Sequence, residues 1–264
     1  IIEHPDYSIE VNHDALNEYF TFQNLFTYQT LFKGVTMLPP ANIVKINRES
    51  KYVKHESWWD YDFTNCDDKI SFQDAKEQTE ILFKQAVERQ MISDVPVGSY
   101  LSGGMDSGSI TGVASKFMNR LTTFTCGFDL SSASGLEACF DERATAEALS
   151  YAFKTEHYEV VLKAGDMERC LPSLAWHLEE PRVGQSYPNF YAAKLASKFV
   201  KVVLSGAGGD ELFAGYPWRY FRTMVNDNFE DYIDKYYLYW QRLVSNSDLK
   251  NLFSPIFVII HRLL

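Results

Sequence analysis

The feature that most constrains the fold is an alternation of short apolar runs and longer helical stretches, which starts at Ser71. Ser71 and Asp74 resemble the start of a capping box, and the helix that they introduce is predicted to reach about Ser93. Strands are predicted at "VGSYL", "LTTFTCGF", "TEHYEVVL" and "VKVVLSG", and helices at about residues 107–118, 141–153, 165–178 and 188–199, with another starting at "DELFAGY". Strands separated by helices of this length form βαβ crossovers, so the sequence predicts an α/β domain built on a parallel sheet.

The first 62 residues have a different pattern of apolar and polar residues from the rest of the chain. A short helix is predicted from Asn12 or His13 to Thr21, because apolar side chains recur there at helical spacing. The segments "NIVKINR" and "KYVKHESWW" alternate between apolar and polar residues, which predicts two antiparallel strands. The segment "DFTNCDDK" is polar and rich in turn formers, so we expect a linker at about residues 60–70 and a domain boundary after residue 62.

Composition narrows the class of partner. The formal net charge of −10 argues against nucleic acid as a partner, because phosphate binding needs a basic surface. No apolar run approaches the roughly 18 residues that cross a bilayer, and the chain opens without a signal-peptide pattern, so we expect no membrane partner. The sequence lacks an initiator Met and is expected to be a piece of a longer protein. The four cysteines form no CxxC pair, which favours reduced thiols and a cytoplasmic location: Cys66, Cys126, Cys139 and Cys170.

The first candidate site is the loop "SGGMDS", Ser102–Ser107, between a predicted strand and a predicted helix. Its glycines let the backbone approach a ligand, and consecutive N–H groups at the helix start form a nest for an anion such as phosphate. Asp106 would repel phosphate unless a cation lies between them, and Mg²⁺ is the hard cation that both kinds of oxygen bind. On this loop alone, a plain turn in which Asp106 and Ser107 cap the helix is an equally good interpretation.

A second loop repeats the arrangement. The stretch "VVLSGAGGDELFAGY" is an apolar strand followed by Ser205 and Gly206, two further glycines, and Asp210 at the start of a helix. The carboxyl ends of parallel strands meet at one edge of a sheet, so the two loops could face one cleft. Asp106 and Asp210 could then hold Mg²⁺ against a triphosphate, and the repetition favours the phosphate-binding interpretation over the plain turn.

These motifs resemble a known family. "SGGMDS" matches the SGGxDS pyrophosphate loop of the ATP pyrophosphatases, and with "SDVPVGSYL" before it and "SGAGGDELFAGY" after it the chain resembles the synthetase domain of glutamine-hydrolysing asparagine synthetases. The segments "FDERATAEALSYAFKTEHYEV" and "WHLEEP" occur in the family's usual order, and "LFTYQTLFKGVTMLPPANIVKI" resembles the end of its glutaminase domain. The resemblance implies an adenine-nucleotide-hydrolase-like ATP pyrophosphatase domain at residues 63–264, C-terminally incomplete, after a remnant of an antiparallel glutaminase-type domain at residues 1–62.

The resemblance also implies a reaction. In that family ATP is cleaved between its α- and β-phosphates, the side-chain carboxylate of aspartate becomes an acyl adenylate, and ammonia from glutamine displaces AMP. Asp106 and Asp210 take the catalytic and Mg²⁺-binding roles, and the work of the site is positioning and charge neutralisation. The positions that the resemblance places around ATP and its pyrophosphate are Tyr100, Leu101, Ser102, Gly103, Gly104, Asp106, Ser107, Cys126, Gly127, Ser205 and Gly206.

Three departures from the family pattern stand out. Asparagine-forming members often carry an acidic residue where this chain has Ala207, and a methyl group cannot act as a base. The glutaminase needs an N-terminal cysteine, whereas this chain begins with Ile1 and its first cysteine is Cys66, so we expect no glutamine hydrolysis by the chain itself. The lysine that neutralises the adenylation transition state falls in a family segment beyond Leu264.

The sequence therefore predicts an ATP-dependent, amide-forming ligase of the asparagine synthetase type, with a homodimer as one assembly compatible with it. One alternative is a related amidotransferase that adenylates another carboxylate, such as a surface-sugar uronic acid, which Ala207 favours. A second alternative is a non-catalytic nucleotide-binding relative, against which the two retained aspartates argue.

Overall fold

The computed structural model describes residues 1–62, 64, 69–132, 140–180, 186–216, 225–240, 244 and 248. Residues 63 and 65–68 of the predicted linker, which include Cys66, lie outside these residues, as does Cys139. In chain order the elements are α1 (His13–Phe22), β1 (Asn42–Ile46), β2 (Val53–Ser57), α2 (Phe72–Gln90), β3 (Val97–Tyr100), α3 (Met105–Ala114), β4 (Thr122–Phe128), α4 (Arg143–Phe153), β5 (Glu156–Leu162), α5 (Asp166–Leu178), α6 (Ser186–Ala196), β6 (Val202–Leu204), α7 (Gly209–Phe213) and α8 (Phe229–Trp240).

The chain divides into two compact units. One consists of Ile1–Asp68 with Trp218–Leu264, and the other is Lys69–Pro217. In the first unit, α1 begins where the sequence predicts, because the Asn12 side chain accepts hydrogen bonds from the first backbone N–H groups of the helix. The predicted strands β1 and β2 pair antiparallel. The aromatic C-terminal region contains α8, and the chain beyond Trp240 lies almost entirely outside the described residues.

The second unit is built on a four-stranded sheet in the order β5-β4-β3-β6. All three strand pairs are parallel, which confirms the predicted α/β class and parallel sheet. The chain moves outward from β3 to β4 and β5, and then returns to place β6 on the other side of β3. The strand order therefore reverses between β3 and β6, and such a switch point opens a crevice at the carboxyl edge of the sheet.

Two apolar clusters hold the helices of this unit to the sheet. The first joins Val87 of α2 and Ala114 of α3 to Val97 of β3 and Leu204 of β6. The second joins Phe124 of β4 to α6 and the segment after it, through Ala196 and Val200. Phe124 is 1% exposed, so its packing sets how β4 lies against α6.

Some boundaries differ from the prediction. Helix α3 was predicted from about Ser107, but it begins at Met105, because Gly104 takes the extended conformation of a helix-capping residue. This shift puts Asp106 in the first turn of α3. In the part of the chain that the structure describes, no helix is both long and apolar enough to cross a membrane.

Candidate functional site

The two Ser-Gly loops leave neighbouring strands of the sheet. β3 pairs with β6, with Ser99 opposite Leu204, so the chain exits from both strands at the same edge. The first loop leads into α3 and the second into α7. The structure thus places both loops at the switch point, where ligands of open α/β sheets bind.

The first loop is braced by its own serines. The Ser107 hydroxyl accepts the N–H of Ser102 at 3.0 Å and lies 2.8 Å from the Ser102 hydroxyl oxygen. The Ser102 hydroxyl in turn accepts the N–H of Gly104 at 3.1 Å. Ser107 is buried and Ser102 half-buried. These hydroxyls therefore hold the loop in shape, which fixes the direction of the N–H groups at the start of α3.

Two glycines bring the second loop onto the first. A methyl group at Gly206 would lie 2.9 Å from the Ser107 nitrogen and 3.0 Å from the Asp106 Cβ. A methyl group at Gly209 would overlap the Asp106 carboxylate itself. Only glycine permits this approach, and it puts the carboxylate of the first loop beside the residue that precedes Asp210.

The two aspartates have a donor set that suits Mg²⁺. Asp106 and Asp210 are half-buried, and each lies in the first turn of a helix that opens at the switch point. The Asp210 carboxylate lies against the Cα of Gly215. Among the described residues, no cluster of three His, Cys, Asp or Glu side chains could hold a metal alone. A pair of carboxylates fits Mg²⁺, which takes one or two protein carboxylates and fills its other positions with phosphate and water oxygens.

The second loop has its own internal bonds. The Ser205 hydroxyl accepts the N–H of Ala207 at 3.3 Å, and the Glu211 carboxylate accepts the N–H of Gly208 at 3.1 Å. Gly208 has a φ of 103°, which favours glycine. The Ala207 side chain is exposed. At the position where the resemblance implies an acidic group, this chain thus has a methyl group and no base.

The start of α4 borders the candidate site beside the two loops, and its residues are not among the site positions predicted from the sequence. Glu142, just before the helix, accepts the N–H of Gly103 at 3.2 Å. The Arg143 side chain covers the Cα of Gly127, and its guanidinium binds the Asp141 carboxylate at 2.8 and 2.9 Å. The stretch "DERATAEALSYAF" is predicted to be a helix and is part of the family resemblance, but none of its residues is among the predicted site positions. The signal that was available is a run of charged residues immediately before a helix whose N-terminus faces the strand ends.

The remaining predicted positions lie deeper. Leu101 is 1% exposed, its N–H donates to the Phe124 carbonyl at 2.9 Å, and its carbonyl accepts the Thr125 hydroxyl. Tyr100 packs against the cluster around Phe124. Burial, reinforced by nearby carboxylates, raises the pKa of the Cys126 thiol to about 12. Leu101 and Tyr100 thus support the loop from below, and Cys126 is a neutral thiol near neutral pH.

Known proteins share these motifs. The sequence model of the asparagine synthase family matches residues 78–256. The putative glutamine-hydrolysing asparagine synthetase 2 of Methanocaldococcus jannaschii is 31% identical over 229 residues, which cover 85% of this chain and 41% of that protein. Glutamine-hydrolysing asparagine synthetase 1 of Bacillus subtilis is 32% identical over 212 residues, which cover 79% of this chain and 32% of that protein.

The solved structure of NMN synthetase from Francisella tularensis is more distantly similar, with 13% identity, a TM-score of 0.34, and coverage of 65% of this chain and 71% of that chain. The chain spans less than half the length of the curated asparagine synthetases named above. The family match extends over both Ser-Gly loops and the whole parallel sheet. The chain belongs to the asparagine synthase family.

Proposed function

We propose that this chain is the adenylating portion of an asparagine synthase-type ligase, which activates the side-chain carboxylate of aspartate with ATP and joins it to ammonia derived from glutamine. The observation that carries the proposal is the close approach of Gly206 and Gly209 to Asp106 at the switch point. This approach builds one crevice from two loops that are distant in sequence. Membership of the asparagine synthase family supports the choice of reaction.

The phosphates of ATP would lie at the first loop. The first N–H groups of a helix have no partner within the helix, and those at the start of α3 lie beside Asp106. The serine braces of the loop keep these N–H groups oriented before the substrate arrives, so little reorganisation is needed during the reaction. Asp106 and Asp210 would hold Mg²⁺, which when bound neutralises charge on the phosphate oxygens.

The adenosine would lie toward β4. Gly127 at the end of this strand has no side chain, and Arg143 covers it while its guanidinium is held by Asp141 and donates to the Phe128 carbonyl at 2.9 Å. Ser205 and Gly206 would close the nucleotide site from the side of β6. The catalytic contribution of these residues is to place the α-phosphorus in reach of the attacking carboxylate.

A related amidotransferase that acts on another carboxylate, such as a uronic acid, is the second candidate. The exposed methyl group of Ala207 favours it, because no base stands there to take a proton from attacking ammonia. If the acceptor is aspartate, Ala207→Glu should keep or raise ammonia-dependent turnover, since general-base assistance is worth about 10²–10⁴-fold. If a larger acceptor fills this space, the variant should lose turnover while it still binds ATP. Loss of ATP binding would contradict the placement of Ala207 on the acceptor side.

Three further points belong to this proposal. Residues 1–62 would be a remnant of a glutaminase-type domain, which the antiparallel β1–β2 pair supports. In the described part of the chain Cys126 and Cys170 are free thiols, which suits a reducing compartment such as the cytoplasm. A homodimer is compatible with the site, because each residue assigned above comes from one chain.

The proposal is tested by exchange of labelled pyrophosphate into ATP, with ammonium added separately to follow amide formation. The purified full-length protein with Mg²⁺-ATP should show exchange that depends on aspartate, and exchange that depends on a uronic acid would select the second candidate. Asp106→Asn should abolish the exchange, whereas the matched control Asp94→Asn, which alters an exposed aspartate before β3, should not. Binding of Mg²⁺-ATP without exchange for any carboxylate would identify a non-catalytic nucleotide-binding relative.

A further inference from the structure

The Glu142 side chain binds a loop that is distant in sequence and not the start of its own helix. The residues that usually cap a helix by accepting an N–H of the first turn are Ser, Thr, Asp and Asn, and Glu is not among them. The Glu142 side chain makes no such bond to α4. Its carboxylate instead accepts the N–H of Gly103, which is 39 residues away in sequence, at 3.2 Å. The carboxylate thus leaves its own helix uncapped and binds the loop that leads into α3.

The contact lies in the middle of the first Ser-Gly loop. The flanking N–H groups of Ser102 and Gly104 are bound by the loop's own hydroxyls, whereas the Gly103 N–H binds an anionic oxygen from outside the loop. Thr145 of the same helix packs beside Gly103, so the start of α4 is seated against the loop. A carboxylate oxygen in this position makes the hydrogen bond that a phosphate oxygen would make.

Within the described residues, the cationic side chain next to Glu142 in sequence is already engaged elsewhere. Arg143 is adjacent in sequence, but its guanidinium is bound to the Asp141 carboxylate and to the Phe128 carbonyl. A polyphosphate that approaches Gly103 therefore meets the negative charge of Glu142, which Arg143 does not neutralise. The Glu142 carboxylate and a phosphate group repel each other, because both are negatively charged. The Glu142 side chain is exposed, so it has room to turn away into solvent.

We propose that Glu142 occupies an anion-binding N–H of the pyrophosphate loop when the nucleotide is absent, and that phosphate must displace it. Glu142 is then a positioning residue that keeps the empty loop in its binding shape and lowers its affinity for pyrophosphate. Return of the carboxylate to Gly103 would help the product pyrophosphate to leave. This inference rests on the proposed function, because it takes the loop to be the pyrophosphate site.

The test is calorimetric titration of the full chain with inorganic pyrophosphate and Mg²⁺ at low ionic strength. Glu142→Gln keeps the shape of the side chain and an oxygen for Gly103 but removes the charge. It should bind pyrophosphate about two- to fivefold more tightly, the range for a partly exposed charge pair. The control Glu147→Gln removes an exposed charge farther along α4 and should stay closer to wild type. Equal gains in both variants, or weaker binding by Glu142→Gln, would overturn the inference.

A second measurement reports on the contact directly. In the ¹⁵N-labelled chain, the Gly103 amide proton should shift upfield in Glu142→Ala, because the charged acceptor is lost, and should not shift in Glu147→Gln. An unchanged Gly103 resonance in Glu142→Ala refutes the contact. If wild type and Glu142→Gln both fail to bind pyrophosphate, the proposed function fails and the inference with it. If wild type binds and Glu142→Gln gains nothing, only the inference fails.

Discussion

Replacement of Gly206 by Ala tests the packing that joins the two loops. The new Cβ would lie 2.9 Å from the Ser107 nitrogen, 3.0 Å from the Asp106 Cβ and 3.2 Å from the Asp106 carbonyl carbon. The first of these is 0.5 Å short of the 3.4 Å at which ordinary contact begins. Two of the three atoms belong to the backbone, so no rotamer change relieves the clash. The second loop has to move away from the start of α3.

The magnitude follows from this displacement. Forcing an extra methyl group into a packed site costs about 1–3 kcal/mol of folding free energy. For a chain of this size each kcal/mol lowers Tm by about 2–4 °C, so we expect a fall of roughly 2–12 °C. A misplacement of 1 Å in an active site can cost about 10²-fold in rate, so a shift of half that distance should reduce pyrophosphate exchange by roughly tenfold.

The assay is thermal and urea unfolding together with pyrophosphate–ATP exchange, and Gly108→Ala is the matched control. Gly108 lies one residue beyond Ser107 within α3, and its added Cβ would meet only the end of the Leu149 side chain at 3.4 Å. Alanine within a helix gains about 0.5–1 kcal/mol over glycine, so the control should be as stable as wild type or more stable. Equal stability and equal exchange in Gly206→Ala and Gly108→Ala would refute the argument that the loops are in contact.

Three more predictions concern the metal, the core and the buried thiol. Asp106→Asn should weaken Mg²⁺-ATP binding more than AMP binding in calorimetry, because AMP lacks the bridged phosphates; equal losses would contradict the metal role. Phe124→Ala should cost about 3–5 kcal/mol in urea unfolding, since Phe124 is 1% exposed, and a cost below about 1 kcal/mol would contradict its place in the core. The raised pKa of Cys126 means that its contribution to stability is complete below about pH 9 and is lost as pH rises toward about 12. Cys126→Ser should flatten stability between these pH values, and an unchanged profile would contradict the pKa.

Much of the fold could be predicted from local patterns. Apolar runs such as "VGSYL" and "LTTFTCGF" predict strands because a strand of a parallel sheet is covered on both faces. Asn12 and Ser71 predict helix starts because their side chains accept the N–H groups that a helix leaves unpaired, and both do so in the structure. The boundary of a helix differs from the prediction where a backbone angle decides it, as at Gly104 before α3.

The sequence by itself supplied the residue types of the two loops, from which a phosphate-binding chemistry is predicted. Glycines, serines and an aspartate at each strand end are enough to predict a phosphate site that uses Mg²⁺, and the motifs are enough to predict the family. Such features are local, since each depends on residues within a few positions of one another along the chain.

Only the tertiary structure decided which groups meet. The β5-β4-β3-β6 order puts the loops after β3 and β6 side by side, and no local pattern states that β6 pairs with β3 rather than with β5. The contacts of Gly206 with Asp106 and of Glu142 with Gly103 follow from that order and from the packing of α4. Strand order is set by burial of helix faces against the whole sheet, a long-range balance that emerges only when the chain is folded.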